Sequence, residues 1–194
     1  KHPRRMEVLE GLVKWADVVT ENFAGGVMDR LGLGYEDLKR INPGIIMLSS
    51  DTYGQSGPFG GTPLYGVPLT ALSGLPSLTG TPDRMPQFPG FAITDFIAPR
   101  TNALAVIAAL DYRRRSGQGQ FIDASQFEAT VPLMSPLLLG YQAGGRMPPR
   151  HGNRSPHGAP HGVYRCLGDR WCAICVFGED DWGRFREAIG SPAW

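Results

Sequence analysis

Apolar and polar positions along this chain switch between two periods. From residue 4 to 16, Met6, Leu9, Leu12, Val13 and Ala16 recur every three or four positions, which predicts a helix. Asp17-Val18-Val19-Thr20-Glu21-Asn22-Phe23 then reads as a short strand. Residues 27–31 read as a helical turn opened by Gly25-Gly26, and 35–41 as a helix stopped by Asn42-Pro43-Gly44. Ile45-Ile46-Met47-Leu48-Ser49-Ser50 opens on an unbroken apolar run, as in a parallel strand buried on both faces. A glycine- and proline-rich loop over 51–63 leads to a helix over 65–75, and a second such loop covers 76–92. The longest helix is expected over 96–115, with Ile97, Thr101, Leu104, Ala105, Ala108 and Leu110 inward. It ends on Arg113-Arg114-Arg115-Ser116-Gly117, where basic residues suit a helix C-terminus. Residues 120–124 read as a strand and 125–143 as a helix. A hairpin is expected from 163–166 and 171–176 across Gly168-Asp169, and a last helix over 180–189.

Helices alternating with strands predict an α/β fold, a doubly wound parallel sheet. The composition shifts near residue 146. The expected organisation is therefore a first domain over 1–145, a linker over 146–162 and the start of a second, smaller α+β domain over 163–194. No internal repeat is visible.

Composition narrows the chemistry. Hydrophobic residues make up 42% of the 194, enough for a core. Nineteen basic against eighteen acidic residues leave a net charge of +1, so neither a nucleic-acid footprint nor a field steering an anionic partner is expected. No run of eighteen apolar residues is present, so no membrane span is expected. The start, Lys1-His2-Pro3-Arg4-Arg5, is basic with no apolar stretch behind it, unlike a signal peptide. Three clustered cysteines, Cys166, Cys172 and Cys175, do not make a disulfide framework, so a cytoplasmic location is expected. Cys172 and Cys175 have the spacing of a metal or redox pair, but in a strand positions i and i+3 point to opposite faces. His151, His157 and His161 lack metal-ligand spacing, so no metal is expected. The chain opens on a helix pattern without a cap and closes on Ser191-Pro192-Ala193-Trp194, which reads like a linker. The protein is therefore expected to continue beyond this piece.

Asp95 is the candidate for chemistry. It lies in Phe91-Ala92-Ile93-Thr94-Asp95-Phe96-Ile97-Ala98, with its nearest basic neighbour, Arg100, more than one helical turn away. A half-desolvated carboxylate at a helix start is a nucleophile or general base, or else Thr94 or Asp95 caps the helix. The two readings are compatible, because a helix N-terminus favours the ionised form that a nucleophile needs. Asn22 and Phe23, followed by Ala24-Gly25-Gly26, come after a strand's C-terminal end, where α/β folds bind ligands; the plain alternative is a turn. Arg30 is either a phosphate contact or a solvated surface residue. Gly54-Gln55-Ser56-Gly57 lacks the lysine of a nucleotide-cradling loop.

In order along the chain, Ala16-Asp17-Val18-Val19-Thr20-Glu21-Asn22-Phe23, Val27-Met28-Asp29-Arg30-Leu31-Gly32-Leu33-Gly34-Tyr35, Tyr53-Gly54-Gln55-Ser56-Gly57-Pro58, Ile93-Thr94-Asp95, Ser116-Gly117-Gln118-Gly119-Gln120-Phe121-Ile122-Asp123 and Gly152-Asn153-Arg154 resemble the class III CoA-transferases, the family of formyl-CoA transferase and carnitine CoA-transferase. The resemblance covers essentially the whole chain. It implies a Rossmann-like large domain, here partial, and interlocked dimers, whether homodimer or heterodimer. It implies a transferase that moves coenzyme A from an acyl-CoA to a free carboxylic acid, with coenzyme A as substrate and no permanently bound cofactor. Asp95 corresponds to the catalytic aspartate, Asn22, Phe23 and Ala24 to a segment contacting coenzyme A, Arg30 to an arginine near its phosphates, and Tyr65 to a second segment near the coenzyme.

Three positions depart from the family's pattern. Gly66 stands where an acid is common. Pro99 replaces a usual glycine and is expected to alter the first helical turn. Asp51 replaces a serine or lysine and is expected to repel a phosphate. Related acyl-CoA racemases carry a histidine where Tyr65 stands, thirty residues before the aspartate, so half of their acid–base pair is missing. Racemisation is one alternative reading, and a non-catalytic subunit of an interlocked heterodimer is another.

Overall fold

The computed structural model describes residues 2–145 and 147–193, so the expected boundary at residue 146 and the terminal Trp194 lie outside the described residues. The chain forms two compact units, one of residues 1–75 and 89–147, the other of 76–88 and 148–194. This division differs from the contiguous one expected: the proline-rich loop over 76–88 and the expected linker residues 148–162 both cluster with the C-terminal residues.

The first unit is a mixed α/β fold on a three-stranded parallel sheet. Its strands are β1 (Val18–Glu21), β2 (Ile46–Asp51) and β3 (Gln120–Ser125), with β2 in the centre. Val18 pairs with Ile46, and Ile46 with Gln120. The central place of β2 accounts for its apolar run, because both faces are covered: Ile45 and Ile46 are fully buried. Helices α1 (Arg5–Trp15) and α3 (Tyr35–Ile41) pack together, with α2 (Val27–Arg30) between them in sequence. Val13, Leu38, Ile45 and Met47 form the core on that side. Asn42 does more than stop a helix. Its amide nitrogen donates to Val13 O (3.2 Å) and Ala16 O (3.0 Å), tying the end of α1 to the approach to β2.

Three further helices follow: α4 (Gly66–Leu72), α5 (Ile93–Ser116) and α6 (Val131–Gly144). Helix α5 packs on α4, β2 and β3. Its inward face differs from the one expected. Thr94, Ala98 and Ala109 are buried and Asn102 donates to Ser50 Oγ (2.7 Å), whereas Thr101, Leu104 and Ala108 are exposed. Small side chains let the helix lie close to the sheet. With 24 residues and mean hydropathy 1.3, α5 is long and apolar enough to cross a membrane, but Asn102 and Arg113 bond it to the strand layer. Helix α6 is strongly apolar yet has no buried residue; Leu133, Leu138, Leu139 and Tyr141 are exposed.

The second unit holds an antiparallel hairpin, β4 (His161–Arg165) with β5 (Trp171–Cys175), and helix α7 (Glu179–Ala188). Arg150 binds its two segments: Nε donates to Thr81 O (3.3 Å), Nη1 to Ser77 O (3.4 Å) and Nη2 to Arg84 O (2.8 Å). Burial alternates along β5, with Cys172 partly covered and Cys175 exposed, so the two cysteines face opposite ways. The Cys166 thiol, hydrogen-bonded to Cys172, pushes the Cys172 thiol above its ordinary value.

Candidate active site

A cleft of about 520 Å³ opens at the C-terminal ends of the parallel strands. Asn22, Phe23 and Ala24 line it after β1, Ser50, Asp51 and Thr52 at the end of β2, and Gln126 after β3. The wall across from them comes from residues 62–66, including Tyr65, and from Asp95. Such crevices at strand C-termini are where open α/β sheets take ligands, because loops converge there from several crossovers.

Asp95 is the third residue of α5, and its N–H donates to Ala92 O (3.0 Å). The helix starts at Ile93, three residues before the expected 96. Its N-cap is Ala92, and no side chain caps it. The capping reading of Thr94 and Asp95 is thereby corrected. The early start also moves Pro99 into the second turn rather than the first. Proline has no N–H for the carbonyl four residues back, here that of Asp95. Among the described residues, no hydrogen bond or ion pair reaches the Asp95 carboxylate.

Neighbouring acids differ. Glu21 accepts from Phe23 N (2.8 Å) and from Ser49 Oγ. Asp51 is only 6% exposed and accepts from Tyr53 N (3.0 Å). Asp123 accepts from Gln55 N (2.7 Å) and Ser56 Oγ (3.1 Å). These three carboxylates brace loops, and Asp51, expected as a repulsive charge, serves as a turn anchor. The fourth, Asp95, is presented to the cleft from the first turn of a long helix.

The loop with Gln55 was legible only as a weak phosphate cradle, and its structural part is different. The Gln55 amide oxygen accepts from Gly26 N (3.1 Å), and its amide nitrogen donates to Asp51 (3.4 Å). Backbones meet closely here: a Cβ on Gly25 would lie 2.8 Å from Gly61 Cα, so the approach needs glycine. Gln55 therefore holds the loop that presents Asn22, Phe23 and Ala24.

The structure brings Asn22, Phe23, Ala24, Tyr65 and Asp95 to one cleft. Arg30 is not among the residues lining it. Its guanidinium lies over Gly26, where a Cβ would sit 3.1 Å from Nη1. Gly66, noted from sequence only as a departure, packs directly on the carboxylate: a Cβ there would overlap the Asp95 carboxyl group and the Ala92 methyl.

Residues 1–194 match the family described as CoA-transferase family III. The chain belongs to this family. It is 35% identical to the succinyl-CoA–D-citramalate CoA-transferase of Chloroflexus aurantiacus over 190 residues, 98% of this chain and 47% of that protein. It is 37% identical to the acetyl-CoA:oxalate CoA-transferase of Acetobacter aceti, over 93% of this chain and 46% of that one. A crystal structure of a CAIB/BAIF family protein from Brucella suis superimposes with a TM-score of 0.89 and 34% identity, covering 98% of this chain and 50% of its own. The chain thus spans about half the length of the family members it matches.

Proposed function

We propose that the protein is a CoA-transferase that moves coenzyme A from an acyl-CoA to a free carboxylic acid, with Asp95 as nucleophile. The observation that carries this reading is the placement of Asp95: an unbonded carboxylate sharing one cleft with Asn22, Phe23, Ala24 and Tyr65. Family membership supports the reaction class.

The chemistry needs no net proton transfer. An Asp95 oxygen attacks the thioester carbonyl, forming a mixed anhydride and releasing CoA thiolate. The thiolate attacks the aspartyl carbonyl, giving an enzyme–CoA thioester and the free donor carboxylate. The acceptor carboxylate attacks that thioester, forming a second anhydride and thiolate. Thiolate attack on the acceptor's acyl carbon then yields the new acyl-CoA and regenerates Asp95. Covalent catalysis divides one difficult exchange into steps with good leaving groups.

In this reading Asn22, Phe23, Ala24 and Tyr65 hold coenzyme A beside Asp95. Arg30, over Gly26 at the outer side of the loop, serves the phosphates of a coenzyme extending past the cleft. The first unit is then the CoA-binding domain, a Rossmann-like sheet completed by further chain, and the second unit begins a smaller domain. An interlocked dimer belongs to the same proposal; the uncovered apolar face of α6 supports it.

To test the mechanism, the full-length protein is incubated with succinyl-CoA or acetyl-CoA and trapped with hydroxylamine. Peptide mass mapping is expected to find the hydroxamate at Asp95. A modification confined to any other residue ends the nucleophile assignment.

A further inference from the structure

We propose that Thr94 and Thr70, acting through the Gly66 carbonyl, are positioning residues that hold Asp95 at the attacking point. The inference rests on Asp95 being the nucleophile. Both threonines are fully buried at the junction of α4 and α5. Thr94 Oγ1 donates to Gly66 O (3.3 Å), Thr94 N–H points to Thr70 Oγ1 (3.5 Å), and the two hydroxyls lie 3.4 Å apart. Because the Thr94 proton goes to the carbonyl, the Thr70 hydroxyl must donate to Thr94. That arrangement is a directional circuit that runs from Thr94 N–H through the two hydroxyls and ends on Gly66 O. Each bond is long and individually weak, but buried hydroxyls are costly to leave unpaired, so the circuit resists opening.

The usual restraints on a helix start are missing here. Ala92 supplies no cap, and Pro99 withholds the N–H that would bind the Asp95 carbonyl. The first turn is therefore located by the side chain immediately before the nucleophile. The same circuit fixes Gly66, whose missing side chain leaves the space that the Asp95 carboxyl group occupies. One pair of buried hydroxyls thus sets both the nucleophile and the surface it rests on. Misplacing a reacting group by about 1 Å costs on the order of 100-fold in rate.

The test is single-turnover formation of the trapped adduct in the full-length protein mixed with acetyl-CoA, with CoA affinity measured separately by calorimetry. Thr94→Val is expected to slow adduct formation on the order of 10- to 100-fold with CoA affinity within about threefold of wild type. Thr94→Ser, which keeps the hydroxyl, is expected to recover most of that rate. Thr70→Val removes the other hydroxyl from the α4 side and is expected to slow the adduct comparably; it decides the matter if Thr94→Val does not fold. Wild-type adduct rates at Asp95 in Thr94→Val or Thr70→Val overturn this inference and leave the nucleophile standing. An equal loss of rate in Thr94→Ser and Thr94→Val also overturns it. An adduct away from Asp95 in the wild type overturns the nucleophile, and this inference with it.

Discussion

At the scale of single residues, four carboxylates of one chemical type take different roles because their partners differ. Glu21, Asp51 and Asp123 each accept backbone N–H bonds and hold loops. Asp95 accepts none among the described residues and faces the cleft. Replacing it by asparagine keeps the shape and removes the nucleophile. Asp95→Asn is expected to lower kcat by roughly three orders of magnitude or more while leaving CoA affinity nearly intact, as steady-state kinetics and calorimetry would show. Gln55 acts indirectly, through Gly26. Gln55→Leu strands that N–H and the Asp51 oxygen, at a cost of about 1–2 kcal/mol to the loop. The expected outcome is a KM for acyl-CoA raised roughly 5- to 30-fold with kcat little changed, by the equivalence of about 1.4 kcal/mol to a factor of ten.

At the scale of elements, α5 shows where pattern reading stops. Residues 103–110 are apolar without interruption, so a period of 3.6 finds no unique face among them. The sheet selected the face of Ala98 and Ala109 because small residues permit close approach, leaving Leu104 and Ile107 outside. Pro99, six positions after the first helical residue, lies inside the helix and lacks the N–H that its position calls for. An interior proline costs about 3 kcal/mol relative to alanine in a helix, partly offset by up to about 1 kcal/mol through its stiffening of the unfolded chain. Pro99→Ala is therefore expected to raise the thermal midpoint, and a midpoint that falls would show that the proline ring itself is needed for packing.

At the scale of the whole molecule, the chain does not divide at one point. Residues 76–88 leave the first unit and join the second, where Arg150 donates to the carbonyls of Ser77, Thr81 and Arg84. One guanidinium thus ties these segments together, beside the backbone bond from Gly152 N–H to Gly80 O (2.9 Å). Arg150→Met removes all three bonds, with an expected loss of about 1–3 kcal/mol. Hydrogen exchange should rise across residues 77–84 and 148–152, while the amides of β2 stay protected. Exchange unchanged in 77–84 would mean that the Gly152–Gly80 backbone bond and packing hold them without Arg150.

Much of the first unit was legible because its signals are local. The apolar run at Ile45–Leu48 can only be covered on both faces, and Asn42-Pro43-Gly44 can only break a helix, so sequence alone set the order of strands and helices in the parallel layer. It also singled out Asp95, whose setting among apolar neighbours is itself local. Tertiary structure decided what depends on distant partners: which of the four acids is left unbonded, the face α5 buries, and the meeting of the loops after β1, β2 and β3 with the starts of α4 and α5. Periodicity reports that a face is covered, not by what. The bonds from Gln55 to Gly26 and from Thr94 to Gly66 join residues 29 and 28 positions apart, and only the folded chain brings them within reach.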